Sequence, residues 1–409
     1  MSTAKLPLGA ILGLGVTQII GYGTLYYSFG ILAPDMAHDF GLGVEWIFGA
    51  LSAALLIGGL VSPWLGRWID RFGAGRIMTV GSIVASLALA ACAAAPNSPA
   101  FVAALVVVEV AANFVQYGAA FALLVQMGPN TASRSITYLT LIAGFASTIF
   151  WPLTAALHAD LSWQQVYLVF AALNGFLCLP IHAWLASIAG SAKRNGSKAE
   201  AKIVAGSLPA NARRTGFMLM VTGFSLQSLV GSAVLVHMVP VLSGLGLGSA
   251  AALIGTMFGP AQVASRLVNM VAGRNLSPLI LAAVSAALMA IAVAVLAVTA
   301  PSYAGALVFA ILFGCGNGLF SIVTGTLPLS LFGSEGYGRL QGKVMSARLI
   351  VSATAPFVLA LAMETMGAKL SLGVIGVLAA ASVVLLLMIQ SLPRAGTGYH
   401  QVHSPPTCR

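Results

Sequence analysis

The chain has 409 residues, of which 59% are hydrophobic and only 7% charged, with a formal net charge of +10 and a mean hydropathy of +0.97. Soluble domains carry about 25% charged residues, so a water-soluble core is excluded. A nucleic-acid binder is excluded too, because the cations are scattered between apolar runs rather than gathered into a basic face.

A membrane-spanning helix needs roughly 20 mostly apolar residues. That ruler yields twelve, at 8–34, 45–66, 76–95, 99–127, 135–157, 165–187, 214–240, 249–272, 277–299, 302–328, 343–366 and 369–391. The first follows Lys5 with no small-residue cleavage site, so it reads as a retained helix. The second and third flank a charged hinge, Gly66-Arg67-Trp68-Ile69-Asp70-Arg71-Phe72-Gly73-Ala74-Gly75-Arg76. Pro96-Asn97-Ser98-Pro99 and Pro301-Ser302 mark tight turns. Segment 188–213 is rich in Ser, Ala, Gly, Lys and Arg and is expected to be a linker with no packed core. The tail 392–409, with His400 and His403, is expected to be disordered. Cys92, Cys178, Cys315 and Cys408 show neither metal-ligand spacing nor a disulfide framework.

Cations orient such a chain, because cytoplasmic loops carry the excess of Lys and Arg. Lys5, Arg67, Arg71, Arg76, Arg134, Lys193, Arg194, Lys198, Lys202, Arg213, Arg214, Arg274, Arg339, Lys343, Arg394 and Arg409 fall on one side, and Lys369 in a loop on the other. Both termini and the middle linker are therefore expected in the cytoplasm. Landmarks also recur at an even offset. Pro34 and Pro240 lie 206 apart, Pro96 and Pro301 205, Arg134 and Arg339 205, and Pro152 and Pro356 204. Two related six-helix halves follow, 1–187 and 214–391, joined by the linker 188–213 and followed by the tail 392–409.

The hinge resembles the loop between helices two and three of the major facilitator superfamily. Gly66, Asp70, Arg71, Gly73 and Arg76 match its Gly-x-x-x-Asp-Arg-x-Gly-x-Arg-Arg pattern, and Gly75 departs from it. Ser162-Trp163-Gln164-Gln165-Val166-Tyr167 is similar to that family's entry into helix six, without its arginine. The resemblance covers about residues 8–391. It implies an all-α membrane protein of twelve transmembrane helices in two pseudo-symmetric six-helix bundles. Tyr22-Gly23-Thr24-Leu25-Tyr26-Tyr27-Ser28-Phe29-Gly30 and His237-Met238-Val239-Pro240 resemble the bacterial monocarboxylate and oxalate–formate branch. In that branch a helix-eight arginine binds carboxylate, and Arg266 occupies its place. Gln262 stands where the branch often has an aspartate, and no lysine lies in helix one.

Arg266, Gln262 and Asn269 share one face of helix eight. An arginine at mid-bilayer costs about 2.5–3.5 kcal/mol and should face protein or water. It suits a carboxylate clamp, a gate between the halves, or a side chain snorkelling to the surface. Gln18, Tyr22 and Tyr26 share a face of helix one, fit for a substrate wall or for ordinary packing. Glu109, Asn113, Gln116 and Tyr117 do so on helix four. Glu109 is an acid inside a span, so it is a candidate proton carrier or a hydrogen-bonded packing carboxyl. His237 is a second proton candidate or an interfacial residue. Asn317 and Ser321 on helix ten, with Gln227 on helix seven, add a smaller polar face, which helix association alone can also explain. Asp70 can accept hydrogen bonds from the N-terminus of a facing helix. The resemblance places that partner at the start of helix eleven, near Lys343 and Arg348. Asp70, Arg71, Arg76 and Arg348 are thus gating candidates, with snorkelling the alternative for Arg348.

No phosphate-binding Gly-x-x-x-x-Gly-Lys-Ser/Thr loop, His-Glu-x-x-His motif or carboxylate pair is present, and Gly342-Lys343-Val344 fails the first. No enzyme activity, cofactor or metal is expected. The sequence therefore reads as a secondary transporter of the inner membrane, working by alternating access as a monomer. It would move a small organic anion, a monocarboxylate, coupled to protons. Its rivals are an efflux carrier for amphipathic or drug-like compounds and a non-transporting sensor or scaffold.

Overall fold

The computed structural model describes residues 8–194, 203–248, 250–273 and 275–394. Lys5, Lys198, Lys202, Arg274 and the tail beyond Arg394, with His400, His403 and Cys408, lie outside them. Among the described residues, twelve helical segments traverse the structure: α1 (Leu8–Asp39), α2 (Val44–Phe72), α3 (Ala74–Ala93), α4 (Ser98–Met127), α5 (Ala132–Asp160), α6 (163–194), α7 (Ala210–Leu242), α8 (250–271), α9 (Pro278–Thr299), α10 (Tyr303–Phe332), α11 (337–366) and α12 (368–388). The last two form one 52-residue helical run, broken at Gly367, whose φ of 79° and ψ of 164° no α-helix accommodates. An unbroken helix of that length would extend far beyond a ~30 Å hydrocarbon layer.

The turns follow from local chemistry. Gly73, at φ 90°, ends α2 and opens α3, so the charged hinge is a single-residue corner. Asn97, Ser277 and Ser302 cap α4, α9 and α10 by accepting from the amides of Ala100, Ile280 and Gly305. Ser162 and Gln165 form a reciprocal capping box at α6.

Several helices are interrupted within the span. α4 breaks at Gln116, whose ψ of −169° is extended, and α8 breaks between Gly255 and Phe258. α1 and α6 carry wide turns at Gly23–Tyr27 and Asn174–Cys178. α7 kinks at His237 (φ −106°, ψ 15°), three residues before Pro240. Broken backbone is tolerated at membrane depth only where protein or water satisfies it.

The expected linker 188–213 differs at both ends: 188–194 continue the helix of α6, and the far end is packed. Ser207 and Leu208 donate backbone bonds to Ser330 and Leu331 at 2.9 and 3.1 Å, and Ser334 donates to Val204 at 3.0 Å. Leu208 is fully buried in the core formed by Phe224, Phe320 and Leu331. Gly206 and Gly333, both without Cβ, let the two backbones pair. Residues 204–209 therefore belong to the packed body of the second half, and residues 195–202 lie outside the described residues.

The two halves meet on the side of the Gly73 corner, called here the hinge side. α2 packs along α11, while the hinge-side parts of α4 and α5 (117–127 and 132–143) meet α8, α10 and α11. Tyr337 and Leu329 of the second half lie in a core otherwise built by the first. The far-side segments 29–39, 146–160 and 250–255 pack within their own halves. His158 Nε2 lies 2.8 Å from Asp35, and Trp163 Nε1 donates to Asp39 at 2.7 Å, which ties α1, α5 and α6 together there. The arrangement is closed on the hinge side and parted on the far side.

Glycine makes the closure possible. A Cβ on Gly342 would stand 2.5 Å from the Ser62 carbonyl and 3.0 Å from Gly66 Cα, and one on Gly59 would stand 3.0 Å from Leu349. Small residues at such crossings let backbones approach where no hydrophobic force joins the helices. Gly342→Leu is expected to cost about 1–3 kcal/mol by overpacking, seen as a lowered melting temperature. Gly30→Leu, at a position with open space, should leave it unchanged.

Candidate functional site

The hinge-side closure is locked by a carboxylate. Asp70, at the end of α2, accepts from the backbone amides of Gly338 and Arg339 at 2.9 and 2.8 Å. These are unpaired donors of the first turn of α11, where the helix dipole is positive. Gly338 leaves room for the carboxylate, since a Cβ there would crowd Asp70 Oδ1. Among the described residues the neighbouring cations make no ion pair with Asp70, although Arg67 and Arg71 line a cavity beside it. Arg71 lies over the Phe72 ring at 5.2 Å, Arg67 over Trp64 at 5.5 Å, and Arg76 is exposed.

Deeper in the same interface lies Arg266, 4% exposed. Its Nε donates to the Gly318 carbonyl of α10 at 3.1 Å, its Nη1 to the Thr140 carbonyl of α5 at 2.9 Å, and its Nη2 to Gln262 Oε1 at 3.1 Å. The guanidinium thus joins the two halves through a backbone oxygen. The Thr140 carbonyl also accepts from the Gly144 amide at 3.0 Å, so Arg266 takes its second lone pair at the end of this helical stretch, where Gly144 and Phe145 also bond back to Leu141 and Ile142. Gly144 also clears the space that Arg266 Nη1 fills. Hydrogen bonds to charged groups are worth about 1.5–3 kcal/mol each, enough to offset an arginine at this depth. Asn269, on the same face, is buried with its Oδ1 unpartnered.

Arg348 of α11 is held differently. Its Nε donates to Ser228 Oγ of α7 at 2.8 Å, its guanidinium carbon lies 4.8 Å from the centre of the Phe320 ring, and its Nη1 makes only a 3.5 Å contact with Met345 sulfur. The outer edge of its fork is unspent. Opposite these arginines, α1 and α4 present an aromatic surface. Tyr22 and Tyr117 ring centres lie 4.8 Å apart, Tyr26 and Tyr27 5.4 Å, and Tyr27 and Trp151 6.1 Å. The charge of Arg348 reaches the Tyr22 hydroxyl, and that of Arg266 reaches Tyr27 and Tyr117.

The other candidates divide between this surface and the helix joints. Gln18 is buried and donates to the Val115 carbonyl at 2.7 Å, which the break at Gln116 has freed. Asn113 bonds the Glu109 carbonyl at 2.9 Å and accepts from Ser62 at 3.3 Å. With Gln116 and Gln341 it lines a void of about 20 Å³ between α2, α4 and α11. Gln227 turns outward to Ser285 of α9 at 2.7 Å, and Asn317 is half-buried beside Gly231. Glu109 is 4% exposed, its Oε1 has no hydrogen-bond partner, and the Tyr26 and Tyr167 hydroxyls lie within its field. His237 sits at the kink of α7, away from Glu109 on the other half. Sequence reasoning missed the Thr140 and Gly318 carbonyls, Trp151 and Phe320. It also missed His182, a buried histidine held 2.7 Å from Ser82.

The sequence matches the Major Facilitator Superfamily over residues 14–356. The chain belongs to that family, whose members are membrane carriers rather than enzymes. Among solved structures, it superposes on the proton:xylose symporter XylE bound to 6-bromo-6-deoxy-D-glucose with a TM-score of 0.73 at 12% identity, covering 94% of this chain and 96% of that one. The human organic anion transporter MFSD10 (TETRAN) gives 0.71 at 16% identity, with 93% and 100% covered. FucP in its outward conformation gives 0.70 at 12%, with 93% and 98% covered. No curated protein sequence matches the chain. At these identities the likeness is one of fold.

Arg266→Lys tests the strut. Lysine keeps the charge but has no planar fork to reach three acceptors on α5, α8 and α10 together. A loss of about 2 kcal/mol or more is expected, read as a lowered melting temperature in detergent.

Proposed function

We propose that the chain carries a small organic anion, a monocarboxylate, across the inner membrane by alternating access, coupled to protons. The observation that carries this reading is Arg348. It is a part-buried cation positioned by Ser228 and Phe320 of its own half, with donors of its fork unspent and its charge felt at Tyr22 of the other half. A carboxylate would take two parallel hydrogen bonds from such a fork. Tyr22, Tyr26 and Tyr27 would cover the apolar body of the anion and offer hydroxyls.

Arg266 would then act second. A carboxylate that reaches its guanidinium competes with the Thr140 carbonyl, so cargo binding loosens a bond between the halves. With Asp70 released as well, the hinge side would part and the far side close. Glu109, buried with a vacant oxygen, suits a carboxyl that gains and loses a proton as the path reorients. His237 is the second candidate. In this reading the hinge side faces the cytoplasm, as the sorting of cations requires, and both termini lie there. The halves 1–187 and 214–391 move as units, and one chain suffices for a complete path.

The test is uptake of lactate, pyruvate and oxalate into proteoliposomes under an imposed pH gradient. Arg348→Gln should lower uptake about tenfold or more, the worth of one charged hydrogen bond. Undiminished uptake would remove Arg348 as the anchor. Glu109→Gln should retain counterflow exchange and lose accumulation driven by the pH gradient. Accumulation that ignores pH in the unaltered protein would refute proton coupling.

A further inference from the structure

A second cationic site lies outside the path, on the hinge-side surface. A groove of about 860 Å³ runs between residues 203–206, the start of α7, the start of α11 and the end of α2. Four cations line it: Arg213 and Arg214 in the first turns of α7, and Arg339 and Lys343 in the first two turns of α11. Two carboxylates share the groove. Asp70 is spent on backbone amides, and no carboxylate lies within ion-pair distance of any of the four cations among the described residues. Glu335 lines the groove and is exposed, beyond ion-pair distance of the four cations.

Arg339, in the first turn of α11, is placed against the local field. The first turns of a helix carry the positive end of its dipole, so cations there are disfavoured and anions favoured. Topology alone requires cations on this side of the membrane, but not their convergence on one concavity. The floor of the groove is apolar, with Phe217 and Phe332 ring centres 6.2 Å apart and Ile203 and Leu340 beside them. Positive walls over an aromatic floor fit a ligand that is anionic at one end and apolar or planar at the other.

We propose that this groove binds a phosphate-bearing anion. The phosphate lies between the α7 and α11 cations, and the remainder lies on the Phe217–Phe332 floor. Arginine forks and a lysine are suited to phosphate oxygens. The shared chemistry has two sources, a phospholipid headgroup of the adjacent leaflet or a soluble nucleotide. Asp70 brings α2 of the first half to the groove rim, so occupancy favours the hinge-side-closed arrangement over one in which α2 has moved away.

The experiment uses the full chain in nanodiscs of phosphatidylcholine. ATP and dioctanoyl-phosphatidylglycerol are titrated separately by calorimetry. Saturable binding of at least one is expected, weakening with added salt. Saturation by ATP assigns a soluble ligand, and saturation by the lipid alone assigns a headgroup; both support the site. Affinity should fall about tenfold or more in the double variant Arg214→Gln/Lys343→Gln, rise several-fold in Glu335→Lys, and hold in Lys369→Gln on the far side. Absence of saturable binding by either probe overturns the proposal. So does an affinity that Glu335→Lys and the double variant both leave unchanged. Should the double variant fail to fold, Glu335→Lys and the salt series decide alone.

Discussion

The closed side of this protein depends on how near α2 and α11 can come. Lipid tails are as apolar as the side chains they would replace, so no hydrophobic force presses two helices together in a bilayer. Contact must come from close packing and from polar bonds. Gly59, Gly66, Gly338 and Gly342 remove the side chains that would hold the backbones apart. Asp70 then reaches two free amides at the start of α11. Neither device works without the other: the carboxylate needs the short distance, and the short distance needs a bond to define its register. A lock of this kind holds one arrangement firmly and yields once the helices separate.

Arg266 extends the same logic into the interior. A guanidinium at that depth must spend its donors, and it spends one across the interface on a backbone carbonyl. Arg348 is less buried and has fewer donors committed. The difference divides labour between two cations that look alike in sequence. One is a strut that an anion would have to displace, and the other is an open fork that an anion could meet first. A secondary carrier needs this ordering, since binding must change which side of the bundle is held shut.

Much of the architecture was legible in the chain. Apolar length alone set twelve spans, because the bilayer fixes how many residues a helix needs. Pro96-Asn97-Ser98-Pro99 and Pro301-Ser302 mark tight turns, and the helices there begin on the caps Asn97 and Ser302. The Asp-Arg hinge pointed to a helix N-terminus as partner, and Asp70 is found on the amides of Gly338 and Arg339. What was not legible was where backbone would serve as ligand. Thr140 and Gly318 hold Arg266 through carbonyls, which carry no side-chain signature. The break at Gln116 carries no proline and lies two residues before Gly118, so nothing in the sequence marks Gln18 as the residue that repairs a freed carbonyl. Leu208 sat in a stretch too polar to suggest a core, and its burial follows from pairing with the end of α10. For Arg348 the sequence offers a gate or a snorkelling side chain, because only its distance from the helix start can be counted. Its bonds to Ser228 and Phe320 required the packing of three helices.

The central claim is that a hinge side held by Asp70 opens as the far side closes. Paired spin labels measure it directly, one pair at Phe72 and Lys343 on the hinge side and one at Val44 and Met366 on the far side, at the opposite ends of α2 and α11. Replacing Asp70 by Asn should lengthen the hinge-side distance and shorten the far-side distance, with lactate shifting the unaltered protein the same way. An unchanged hinge-side distance in Asp70→Asn, or both pairs lengthening together, would contradict the account.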